Sequence, residues 1–116
     1  MTHKILLIEN DDNLSKILMS YLANKGFLIA NANTKDDASK KYSSDFDICI
    51  IDLGDNCQYF DGLSTEFKKS VDGMPIIYLY KGKLCDNINI EDIDELLEKP
   101  FNMDSLLKKI KLISNK

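Results

Sequence analysis

Arginine is missing from the 116 residues: all fifteen basic side chains are lysine, set against nineteen acidic ones, for a formal net charge of −4. Arginine is the side chain that forks onto bases and phosphates through paired N–H groups. An acidic chain without it is a poor direct reader of DNA, which repels net negative charge. Cysteine is scarce and odd in number: Cys49, Cys57 and Cys85, with no CxxC spacing. That pattern speaks against a disulfide scaffold or a structural zinc site and fits a reducing cytoplasm. Long hydrophobic runs are absent, the longest being four or five residues. No stretch reaches across a bilayer, and no signal peptide opens the chain. What remains is an ordinary globular balance, 44% apolar and 29% charged. Disorder, collagen and coiled coil do not fit it, and the length is that of one domain.

Short apolar runs alternate with amphipathic stretches. Residues 5–8 form a continuous apolar run of strand length. Leu14, Ile17, Leu18, Tyr21 and Leu22 then recur on one helical face, with Asp11 or Asp12 placed to cap the helix and Gly26 to end it. Residues 27–30 read as a second strand, and 35–44 as a helix with a thin apolar face, capped by Thr34. A third apolar run, 48–51, ends at Asp52, and a polar loop follows over 54–62. A helix over 63–71 and a fourth strand over 76–79 come next. Residues 81–92 hold at most a short helix. Residues 95–98 read as a fifth strand before Lys99-Pro100, and Asn102 can cap a last helix bearing Met103, Leu106, Leu107, Ile110 and Ile113. The runs 5–8, 48–51 and 76–79 are apolar on both alternating faces, as in parallel strands covered by helices on each side. The predicted class is α/β, a three-layer sandwich.

In such folds the ligand site lies beyond the carboxyl ends of the strands. Those ends carry Glu9-Asn10-Asp11-Asp12 after the first strand, Asp52 after the third, Tyr80 after the fourth and Lys99 after the fifth. A carboxylate cluster facing one lysine suits a hard cation. It also suits a phosphoryl group attacked by the carboxylate, with the lysine pairing to the product.

At this point the chain resembles a known family, the receiver domain of bacterial two-component response regulators. The residues that carry the resemblance are KILLIENDDNL at 4–14, FDICIIDL at 46–53, DGL at 61–63, MPII at 74–77 and KPF at 99–101. The KPF followed by an amphipathic helix is most similar to regulators with a winged-helix output domain. The resemblance implies a flavodoxin-like five-stranded parallel sheet in the order 2-1-3-4-5. It implies one receiver domain over 1–116, standing alone or forming the N-terminal part of a longer regulator. It further implies a cytoplasmic signalling protein and not an enzyme. Asp52 falls on the phosphoacceptor, Glu9 and Asn10 on the acidic pair that holds Mg²⁺, and Gly54 near the backbone carbonyl that completes the metal ligands. Lys99 falls on the site lysine, with a cis Lys-Pro bond, Tyr80 on the hydroxyl switch position and Leu96 on the aromatic switch position. The implied partners are a sensor histidine kinase and a second copy, bound through the fourth helix, fifth strand and last helix, where Lys108, Lys109 or Lys111 pairs with Asp94 or Glu95. No nucleic-acid or membrane contact is implied for this domain.

Three departures from the family pattern stand out. Asn10 replaces a carboxylate with a neutral amide, which weakens a magnesium site. Tyr80 puts a phenol where a small hydroxyl is usual. The loop from Asp52 to Gly62 is two residues longer than usual. Two readings therefore stay open: a phosphoryl-accepting receiver, and a pseudo-receiver of the same fold that docks or dimerises without phosphorylation. A flavodoxin-type cofactor binder needs a Gly/Ser/Thr-rich phosphate loop after the first strand, and the acidic 9–12 segment repels a phosphate there. Simpler roles compete at single positions. Asp11 and Asp12 suit a helix N-terminus whatever the function, Cys49 suits a core, and Tyr80 suits a packed aromatic.

Overall fold

The computed structural model describes residues 3–33, 46–55, 74–83 and 95–114. The helices expected over 35–44 and 63–71, the DGL motif at 61–63, most of the segment 81–92, and Asp94 all lie outside the described residues. So do Cys57 and Cys85.

Five strands form one sheet: β1 (Lys4–Ile8), β2 (Leu28–Ala32), β3 (Ile48–Asp55), β4 (Ile76–Lys81) and β5 (Glu95–Glu98). Their order is β2-β1-β3-β4-β5 and every neighbouring pair is parallel. This is the flavodoxin-like order expected. The period of two along β1 and β3 divides their apolar side chains between two clusters. Ile5, Leu7, Ile48 and Ile50 join Ile77, Leu79 and Leu97 on one face. Leu6, Ile8, Cys49 and Ile51 join Ala32, Phe46 and Tyr78 on the other.

Two helices cover the first face. Helix α1 (Asp12–Asn24) inserts Leu18 and Leu22, and α2 (Met103–Ser114) inserts Leu106, Ile110 and Ile113. Each starts at the cap that its sequence provides. Asp11 accepts from the amides of Asn13 and Leu14 at 2.9 and 3.2 Å, and Asn102 accepts from the Ser105 amide at 2.8 Å. Gly26 ends α1 at φ +96°, a conformation open to glycine without strain. The Tyr21 hydroxyl donates to Asp104 at 2.9 Å and ties α1 to the first turn of α2.

Several boundaries differ from the sequence reading, and two of them shape the rim. β3 runs past Asp52 to Asp55, because Leu53 and Gly54 are buried and the pairing with β4 resumes at Asp55↔Lys81 after a register shift. Gly54 absorbs that irregularity at φ +79°. β4 likewise extends through Tyr80 to Lys81. Asp52 and Tyr80 are therefore strand residues. β2 starts one residue later and ends two later than the apolar run suggests, because its residues pair one for one with β1.

Ile50 is fully buried in the central strand, whereas Ile17 on α1 is 54% exposed. Ile50→Ala is expected to lower unfolding free energy by about 2–5 kcal/mol. Ile17→Ala is expected to change it by about 0.5 kcal/mol or less. Urea denaturation followed by circular dichroism checks both.

Candidate functional site

The parallel sheet gathers the ends of β1, β3 and β5 on one rim, and three ionisable side chains meet there. Asp52 is buried, its side chain 2% exposed. Its Oδ1 accepts from the Gly54 amide at 2.8 Å, and its Oδ2 accepts from the Lys99 ammonium at 2.5 Å. Lys99 stands just beyond β5 on a cis peptide bond to Pro100. Its own amide donates to the Tyr80 carbonyl at 2.8 Å, which fixes the base of its side chain against β4. The expected approach of Lys99 to Asp52 is what the structure contains.

Glu9 is the third member. Its amide donates to the Ala32 carbonyl at 3.0 Å, so β2 holds the residue in place as it leaves β1. The side chain is buried, and Oε1 accepts from the Asp11 amide at 3.0 Å, while Oε2 has no hydrogen-bond partner. Burial pushes the Glu9 carboxyl up to about 8, helped by the Asp52 carboxylate beside it. The Asp11 amide and the Lys99 charge pull weakly the other way.

The remaining predicted residues divide. Gly54 is buried next to Asp52 and binds it through the backbone. Asn10 is exposed, one residue past the buried Glu9. Tyr80 and Leu96 are half-buried and pack against the same apolar cluster, on the face away from α1 and α2. Of the three lysines considered on the last helix, Lys109 pairs with Glu95 at 2.6 Å. Sequence reasoning missed Lys81 and Asp55, which line an open cleft beside Lys99. The signal for Lys81 was its place directly after Tyr80, since the strand ends two residues later than the apolar run.

Chemically, the rim presents a buried carboxylate oriented by one amide and one ammonium, with a second buried carboxyl alongside. Among the described residues, no three His, Cys, Asp or Glu side chains form a ready-made metal cage. The unpartnered Glu9 oxygen is nevertheless a donor that a hard cation would satisfy.

No family model matches the chain. The protein described as "Probable transcriptional regulator ycf29" of Pyropia yezoensis is 34% identical over 113 residues, which cover 92% of this chain and 51% of that protein. The transcriptional regulatory protein CssR of Bacillus subtilis is 33% identical over 81 residues, 68% of this chain and 35% of its own. The chain thus spans about half, or less, of the length of these curated relatives. Among solved structures, a two-component response regulator from Clostridium difficile superposes with a TM-score of 0.79 at 26% identity, covering 98% of this chain and 97% of that one. A response regulator receiver domain from Clostridium thermocellum shares the fold with a TM-score of 0.82 at 22% identity, covering 97% and 94%.

The raised Glu9 carboxyl makes stability depend on pH. Its value of about 8 lies above the ordinary 4.5 of an unfolded chain, so the folded state binds this proton more tightly. The contribution is complete below about pH 4.5 and disappears as pH rises through about 8. Metal-free protein is expected to lose on the order of a few kcal/mol between those limits. Glu9→Gln is expected to flatten the slope. Urea midpoints measured with a chelator across this pH range check it.

Proposed function

The chain belongs to the receiver domains of two-component response regulators, and from that premise we propose that Asp52 accepts a phosphoryl group from a sensor histidine kinase. The observation that carries the proposal is the buried Asp52 carboxylate held by Lys99 at 2.5 Å on the strand-end rim. In the transfer, a carboxylate oxygen of Asp52 attacks phosphorus and the P–N bond of a phosphohistidine breaks. The imidazole leaves with the electron pair and takes a proton from solvent, and the product is an acyl phosphate. Asp52 is the acceptor in this step, and the kinase supplies the donor. Lys99 can follow the charge from the carboxylate to the new phosphoryl oxygens.

Glu9, Asp52 and the Gly54 carbonyl are the groups proposed to hold Mg²⁺, with Asn10 beside them as a neutral amide. The cation would offset negative charge on the transferring phosphoryl group. The unpartnered buried oxygen of Glu9 supports this set. With one carboxylate fewer than the family pattern, binding is expected to be weak.

Receiver domains commonly pass their state to a second copy, and we assign that role here to the face of β5 and α2 around Glu95 and Lys109. Those two side chains pair within the chain at 2.6 Å. Among the described residues no helix is long and apolar enough to cross a membrane; the cytoplasmic place of work is proposed from the kinship with response regulators alone. Regulation of transcription would belong to the whole protein, as the names of the relatives suggest. The rival reading, docking without phosphorylation, draws on Asn10 and on the bulk of Tyr80, packed against the same apolar cluster as Leu96.

Intact-mass spectrometry after incubation with phosphoramidate and Mg²⁺ decides between the two. A base-labile phosphate is expected on the wild type and none on Asp52→Asn. An unmodified wild type would leave only the docking role. Asn10→Asp is expected to tighten Mg²⁺ by about tenfold by restoring ligand charge, read by NMR titration. Unchanged affinity would remove position 10 from the ligand set.

A further inference from the structure

The carboxyl end of β4 lies between the two partners of the Asp52–Lys99 pair. Asp52 is on β3 and Lys99 follows β5, with β4 between them in the sheet. The Lys99 ammonium therefore reaches across the end of β4 to meet the Asp52 carboxylate. The residue at that end is Lys81. The bond from the Lys99 amide to the Tyr80 carbonyl seats Lys81 alongside Lys99, and on its other side Lys81 is the register partner of Asp55. Both lysines line one open cleft of about 530 Å³.

Their charges are not equally available. Lys99 is committed to Asp52 and is only 19% exposed. Lys81 is exposed and makes no ion pair among the described residues. The acids that share the cleft form no ion pair with it among the described residues. Asp11 turns its carboxylate onto the first amides of α1, and Asp55 makes no ion pair with its register partner. An anion entering the cleft toward Asp52 thus meets one uncommitted cation among the described residues.

Resting on the phosphoryl-acceptor reading of Asp52, we propose that Lys81 is a positioning residue whose ammonium holds the anionic phosphoryl group of the donor in the cleft before transfer. The neutral Asn10 gives this charge more to do, because a weaker cation site leaves more of the incoming negative charge uncompensated. A lysine suits the task, being a point charge on a flexible stem that can follow the phosphoryl oxygens.

The test compares wild type, Lys81→Gln and Lys81→Arg. Phosphorylation by phosphoramidate with Mg²⁺ is followed by intact mass, and orthophosphate is titrated while the Gly82 amide shift is recorded by NMR. Lys81→Gln is expected to raise KM for phosphoramidate about threefold to fivefold, as for a solvent-screened pair. The maximal rate should change little, and Lys81→Arg should restore the wild-type KM. Raising salt from about 50 to about 500 mM should shrink the difference, since the Debye length falls. The Gly82 shift with orthophosphate is expected in the wild type and lost in Lys81→Gln. Phosphorylation with an unchanged KM in Lys81→Gln would overturn the role of Lys81 and leave that of Asp52 intact. A Lys81-dependent orthophosphate shift in a wild type that takes no phosphate would support the anion subsite and overturn the acceptor reading. An orthophosphate response independent of Lys81 would overturn the subsite in either case.

Discussion

The ion pair between Asp52 and Lys99 is the interaction on which the rest of the rim depends. Its carboxylate is almost fully withdrawn from water, and its ammonium is mostly so. Taking two charges out of water is expensive, and attraction at 2.5 Å offsets it only with good geometry and further hydrogen bonds. Both conditions are met: the Gly54 amide holds the second Asp52 oxygen, and Lys99 is anchored by its amide to β4. Removing either partner would leave the other charge buried and unpaired. Glu9 then has little room to ionise, since it is buried and Asp52 stands beside it.

The sheet makes this pair possible. A parallel arrangement brings every strand's carboxyl end to one side, so residues from β1, β3 and the end of β5 meet although they are far apart in the chain. The irregularity at Gly54 matters as much as the order of strands. It lets β3 continue beyond Asp52 while the Gly54 amide turns back onto the Asp52 carboxylate. The rim thereby gains a backbone donor at the same residue that the family pattern marks for a metal-binding carbonyl.

The side-chain departures from the family pattern bear on charge or size. The carboxylate missing at Asn10 leaves Glu9 as the buried acid after β1, and the amide itself faces solvent. The ring expected on β5 is replaced by Leu96, while a ring appears at Tyr80 on β4, and both side chains join the same apolar cluster. A large ring in that position is packing material first. A phosphate can shift such a face only through contacts that differ between two states, and a ring already seated against the core offers few.

Much of the architecture was legible from residue pattern alone. Runs apolar on both alternating faces, Asp11 and Asn102 ahead of helical stripes, and Gly26 behind one determined the parallel class and the limits of α1, because these are local properties of a few neighbouring residues. The strand-end acids and Lys99 were legible for the same reason, given a parallel sheet. Tertiary structure decided what depends on neighbours distant in the chain. It carried β3 and β4 beyond their apolar runs, since pairing between strands and not hydrophobicity ends a strand. It also buried Glu9 and exposed Asn10, adjacent residues that sequence reasoning treated as a pair, because the bond from Glu9 to Ala32 fixes which of them turns inward. And it set Lys81 beside Lys99, since only the sheet order places β4 between the residues that Lys99 joins.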